Sequence, residues 1–184
     1  MGTLLGIIAF FLFFLHDWND WKGKENTLPI WFPAGVLCLV VGTFLLSHTG
    51  EAPFSGWVRV LFLALGLLFL CLIIYTLFFA LPATASYAKP GEERPVETRG
   101  VYALCRHPGV LWFIGLFLCL WAAAGVPLFA VFFFSGLNIL LVAFEDCWVF
   151  PQKLQGYQNY KRSTPFLLPN GKSVRACCHI SGKR

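Results

Sequence analysis

The chain has 184 residues; 12% are charged, 58% are hydrophobic, and the mean hydropathy is +0.69. A soluble domain carries about 25% charged residues, so half that value with long uncharged runs excludes an ordinary soluble fold and points to a single integral membrane domain. The net charge of +5 sits in the connections between apolar runs, where it reads as a topology signal and gives no reason to invoke nucleic acid.

Five apolar segments follow in chain order, at 3–18, 28–47, 57–83, 108–125 and 127–145. A helix needs about 20 residues to cross about 30 Å of hydrocarbon. The second and third segments reach that length. The first is short, with Trp18 suited to an interface, and runs into His16-Asp17-Trp18 with no basic leader, so no cleavable signal is expected. His16, Asp17 and Asp20 read as a solvated helix end. The fourth and fifth are also short, and only Gly125-Val126-Pro127 separates them. The predicted fold is therefore all-α and polytopic: one domain over 1–184, with about five transmembrane helices and a helical hairpin near the C-terminus.

Basic residues orient this bundle. With the N-terminus outside, the inside connections hold Lys22 and Lys24; Lys89, Arg94, Arg99 and Arg106; and Lys153, Lys161, Arg162, Lys172, Arg175, Lys183 and Arg184. Thirteen of the 14 basic residues lie inside and only Arg59 lies outside. The C-terminus is thus expected in the cytoplasm, from either a bacterial inner membrane or the endoplasmic reticulum. Residues 84–107 form the longest inside connection, with Pro90-Gly91 and the acidic Glu92, Glu93 and Glu97. "GYQNYKR" at 156–162 reads as an amphipathic interfacial piece, and 170–184 as a mobile cytoplasmic tail.

Seven cysteines make no disulfide framework. Cys38, Cys71 and Cys119 lie in apolar runs, where cysteine behaves as a small hydrophobe. Cys105, Cys147, Cys177 and Cys178 fall on the reducing side. Cys177, Cys178 and His179 are too few for a four-ligand zinc site, so no metal is expected; an inert tail is preferred over an S-acylated one. No glycine-rich phosphate loop occurs.

Chemistry concentrates where the fourth segment begins, in "RGVYALCRHPGV" at 99–110. Proline suits the first helical position, and the residue before it is pushed out of helical geometry. The helix is therefore expected to start at Pro108 with His107 as its N-cap and Arg106 just outside. The positive end of the helix disfavours protonation of His107 and attracts anions. The hairpin returns the chain to the same depth at Glu145-Asp146. Acidic residues at the end of an apolar run are costly unless paired or functional, and a helix C-terminus opposes them further. A cation must stand near. Arg106 pairing with Glu145 is the purely structural solution; the positive group of a ligand is the functional one.

These residues also resemble a family. Gly100, Tyr102, Arg106, His107 and Pro108, then Glu145-Asp146, then Tyr157 and Tyr160, then Pro165 and Pro169 are similar in order and spacing to the isoprenylcysteine carboxyl methyltransferase and phospholipid methyltransferase group. The resemblance covers about 84–169, a methyltransferase-like core. It implies methyl transfer from S-adenosylmethionine to a lipid or prenylcysteine-type acceptor in the bilayer, with a cofactor pocket on the cytoplasmic side. Tyr102, His107, Pro108, Glu145, Asp146, Tyr157 and Tyr160 would bind the cofactor, and Arg106, His107 and Glu145 would serve catalysis. Val110, Trp112 and Phe166 depart from the pattern, and Trp112 could fill part of the pocket. Two alternatives stay open: a non-enzymatic membrane protein on this scaffold, and a sterol-reductase-like NADPH enzyme, against which the short chain argues.

Overall fold

The computed structural model describes residues 1–23, 30–80 and 94–180, without the side chains of Arg94, His179 and Ile180. Lys24, Lys89, Pro90, Gly91, Glu92, Glu93, Lys183 and Arg184 lie outside the described residues. The chain is almost entirely helical. Helix α1 (Gly2–Trp21), α2 (Trp31–Ser47) and α3 (Gly56–Ile74) come first, and α3 continues into a π-helical turn, Tyr75–Phe79. After the short α4 (Val101–Leu104) comes the hairpin of α5 (Pro108–Ala124) and α6 (Leu128–Phe144). A second π-helical turn, Glu145–Val149, carries α6 into α7 (Phe150–Lys153); α8 (Tyr157–Ser163) and α9 (Gly171–Ile180) complete the chain. The described strands are two-residue pieces, β1 (Arg94–Pro95) and β2 (Leu154–Gln155), paired in parallel.

Three described stretches are long and apolar enough to cross a membrane: Gly2–Trp21, Gly56–Phe79 and Leu128–Lys153. The other two apolar helices have 17 residues each. The first segment is thus longer than its apolar run: His16, Asp17 and Asp20 form the last turns of α1, the helix end expected of them. The fifth is longer still, because the helix does not stop at the acidic pair. Its C-terminal Lys153 complements the helix dipole and reaches Asp20 of α1 at 2.9 Å.

Helix α1 packs on α2 and α6, and α3 packs on α5. Apolar side chains cover much of the outside, as a bilayer requires, while Phe10, Phe113, Phe117, Val131 and Phe134 form the buried core. Lipid is as apolar as leucine, so close packing rather than water exclusion holds such helices together. A Cβ at Gly42 would stand 2.8 Å from the Gly2 carbonyl, which shows how closely α1 and α2 approach. Gly125 ends α5 with φ +76 and rests against the Gly50 carbonyl, where a Cβ would meet that oxygen at 2.5 Å. The expected turn at 125–127 is therefore also a contact between the two loops at that end. The opposite end gathers the end of α1, the π-helical end of α3, the start of α5 and the end of α6, and there the polar residues meet.

The tail also differs from expectation. Residues 171–180 are helical, packed on α4 and started by a reciprocal cap. Asn170 Oδ1 accepts from Ser173 N–H at 2.9 Å, and Ser173 Oγ accepts from Asn170 N–H at 3.0 Å. The Asn-x-x-Ser spacing satisfies orphan helix-start donors, a signal that composition alone hides. Residues 181–184 lie outside the described residues.

Candidate functional site

Helix α5 starts at Pro108 with His107 as N-cap, and Pro108 is fully buried. The backbone before it is held by the tail: Arg106 N–H donates to the Pro165 carbonyl at 2.9 Å and His107 N–H to the Phe166 carbonyl at 3.3 Å. The strap over 164–170 thus lies across the Arg-His-Pro stretch. Phe166 adds an edge-on contact to the His107 ring, at 5.1 Å, and lies under the Arg106 guanidinium at 5.6 Å.

Arg106 pairs with Asp146, not with Glu145. Its Nε donates to Oδ1 at 2.7 Å and its Nη2 to Oδ2 at 3.3 Å, while Nη1 reaches the Lys161 and Thr164 carbonyls at 2.8 and 2.9 Å. Asp146 also accepts from the Tyr157 hydroxyl at 2.7 Å and pairs with Lys161 Nζ at 2.7 Å. The side chains of Arg106 and Asp146 are 7% and 4% exposed. Two cations and a hydroxyl on one buried carboxylate make this the clamp that ties α8 and the strap to the hairpin. Because α6 continues to Lys153, neither acidic residue sits at the helix C-terminus, and the helix dipole does not oppose them as expected.

Glu145 is left almost unspent. Its nearest basic neighbour is His107, with Nδ1 3.8 Å from Oε2. Burial, together with Arg106 and Lys161, holds the His107 pKa below the usual imidazole value despite Asp146. The ring is therefore neutral at neutral pH. With its proton on Nε2 it donates toward Asp146 Oδ1, 3.4 Å away, and turns the Nδ1 lone pair to Glu145. The other neighbour of Glu145 is the Asp17 carboxyl, brought by α1 within hydrogen-bonding reach. Trp18, Trp21 and Trp148 surround Phe144 beside it, and among the described residues the buried Trp21 Nε1 has no acceptor.

The remaining expected residues divide. Tyr157 joins the cluster through Asp146. Tyr160 packs against Tyr157 at 5.9 Å, but its hydroxyl donates to the Tyr102 carbonyl at 2.6 Å. Tyr102 turns to α3, donating to the Thr76 carbonyl at 3.0 Å, and burial first, then the Glu145 and Glu97 carboxylates, pushes its phenol up to about 12. Trp112 also faces α3: its Nε1 donates to Thr76 Oγ1 at 3.2 Å and its ring stacks on Phe69. Val110 is buried. Asp17 and Lys161, read in the sequence only as a solvated helix end and a topology charge, and Thr76 lie outside the motif pattern and join the site only through helix packing. Among the described residues no His, Cys, Asp and Glu group could hold a metal ion.

The arrangement offers the paired Glu145 and Asp17 carboxyls beside a neutral imidazole and the start of a helix, at the end of an apolar bundle. Compared with known proteins, the chain matches no family model, no curated protein and no solved structure.

Proposed function

We propose that this chain is an integral membrane methyltransferase that transfers a methyl group from S-adenosylmethionine to a lipid or prenylcysteine-type acceptor. The proposal takes the bundle as five spans with the N-terminus outside, which places 13 of the 14 basic residues and the polar end on the cytoplasmic side. The observation that carries it is Glu145: the fold satisfies Asp146 with two cations but gives Glu145 no lysine or arginine within 4 Å among the described residues. An ionisable group at the end of a membrane helix, beside a second carboxyl and a neutral imidazole but no lysine or arginine, is a mark of function.

The donor set fits an amino-acid zwitterion. Glu145 accepts from the ammonium or ribose hydroxyls of the cofactor, and the positive end of the α5 dipole attracts its carboxylate. When bound, the cofactor supplies an activated methyl on a positive sulfur, so the chemistry needs no protein nucleophile and no metal. What the protein supplies is position and water exclusion. Arg106, with Nε, Nη1 and Nη2 all engaged, is a positioning residue that holds Asp146 and the strap. His107 orients the acceptor, and its Nδ1 lone pair can take a proton where the acceptor is an amine. A carboxylate acceptor needs no base.

The test is calorimetric titration of S-adenosylmethionine into the detergent-purified chain and its Glu145→Gln variant. A charge-assisted hydrogen bond is worth about 1.5–3 kcal/mol, so the variant binds about 10- to 100-fold more weakly. Equal binding by the two proteins, or none by a folded wild type, refutes the proposal.

A further inference from the structure

Leu168 is a large apolar side chain outside the apolar helices, and it is 79% exposed. It lies on the strap, two residues before the cap of α9. Helix α9 packs on α4 through the face of its buried Ser173. Around the helix from there, Val174 and Cys178 come next, both exposed, and Lys172 and Arg175 follow, also exposed and without an ion pair among the described residues. An apolar arc beside a basic arc is the pattern of a helix lying in a membrane interface. Asn170, Gly171, Lys172 and Arg175 line an open depression of about 450 Å³.

We propose that this strap and helix dock on an anionic phospholipid surface, with Leu168, Val174 and Cys178 at the acyl boundary and Lys172 and Arg175 on the headgroup phosphates. Two things on the molecule select that occupant. The helix is tethered through α4 to the start of α5, which holds it at the level where an apolar helix emerges from the bilayer. Its basic arc also matches the negative potential of a cytoplasmic leaflet. The inference rests on the orientation given under the proposed function. It also has a consequence there: the strap carries the Pro165 and Phe166 carbonyls that hold Arg106 and His107. Docking α9 therefore steadies the clamp beside Glu145, and the charge of the leaflet tunes how firmly the site is closed.

The experiment is hydrogen–deuterium exchange of the α9 amides in the full chain. It compares nanodiscs of phosphatidylcholine alone with nanodiscs containing phosphatidylglycerol, all without cofactor. Each basic residue near an anionic surface is worth about 1 kcal/mol, about fivefold, so exchange over 175–180 slows up to about 25-fold in the anionic bilayer. Lys172→Gln/Arg175→Gln abolishes the difference, and Leu168→Ser raises exchange in the anionic bilayer, both with melting of the bundle unchanged. Equal exchange in the two bilayers overturns the inference. So does equal protection from inorganic phosphate added to the neutral bilayer, which would mark a soluble-anion site. Because no cofactor is present, this outcome is independent of the Glu145 titration.

Discussion

Replacing Asp146 by Asn tests the clamp most directly. The side chain keeps its shape but loses its charge, and one oxygen becomes an NH2 donor. Five donors now converge on the carboxylate: Arg106 Nε and Nη2, Lys161 Nζ, the Tyr157 hydroxyl and, at a longer distance, His107 Nε2. An amide can accept from the donors on one side only, so at least one faces N–H against N–H. Arg106 is then a buried cation without a counter-ion, a situation that costs about 3–5 kcal/mol. For a domain of this size about 1 kcal/mol shifts the midpoint by about 2–4 °C, so Asp146→Asn melts about 6–20 °C lower in a fixed detergent. Exchange of the α8 amides rises with it, because Lys161 and the Thr164 carbonyl are held through Arg106. Combining Arg106→Met with Asp146→Leu recovers part of the loss, since no deeply buried cation remains, while the half-buried Lys161 turns to solvent and Tyr157 loses its acceptor. An Asp146→Asn protein within about 1 kcal/mol of wild type, against that 3–5 kcal/mol, refutes the clamp.

Three further outcomes follow from the same geometry. Gly125→Ala, at φ +76 against the Gly50 carbonyl, costs at least about 1 kcal/mol from backbone strain alone and is read from a chemical denaturation midpoint. The depressed pKa of His107 makes the unfolded chain bind the extra proton, so stability falls as pH drops below about 6.5; thermal melts at pH 7.5 and 5.5 show the fall, and His107→Gln flattens it. Trp112→Phe loses the hydrogen bond to Thr76 but keeps the ring on Phe69, lowering stability by about 1 kcal/mol without changing affinity for the proposed cofactor. A loss of affinity there would place Trp112 in the site after all.

The elements themselves were legible from local chemistry. Uncharged runs marked the apolar helices, Pro108 marked the start of α5 with His107 as its cap, and Gly125 to Pro127 marked the hairpin turn. Each depends on a few neighbouring residues, so each survives without knowledge of the fold. Helix ends were less legible where polarity misleads. Asp17 and Asp20 do lie at the end of α1, which stops at Trp21; Glu145-Asp146 read as the end of α6, yet that helix continues to Lys153, because Arg106 and Lys161 meet Asp146. The Asn170–Ser173 cap was a local signal overlooked beneath a polar composition.

The candidate site divides along the same line. Spacing alone brought Arg106 and His107 to the depth of the acidic pair, since a hairpin of two apolar helices returns the chain to its starting side. Which carboxylate took the arginine was beyond it. Glu145 and Asp146 are neighbours in sequence but about 100° apart around a helix, so the rotation of α6 against α5 chooses between them. That rotation is set by side-chain packing of Phe113, Phe117 and Phe134, contacts that join residues far apart in the chain. The same packing lays α1 against α6 and brings Asp17 to Glu145. The sequence by itself determined which chemical groups meet at one end of the helical hairpin; only the tertiary structure decided that Asp146 takes the two cations and that Glu145 faces Asp17 and His107 instead.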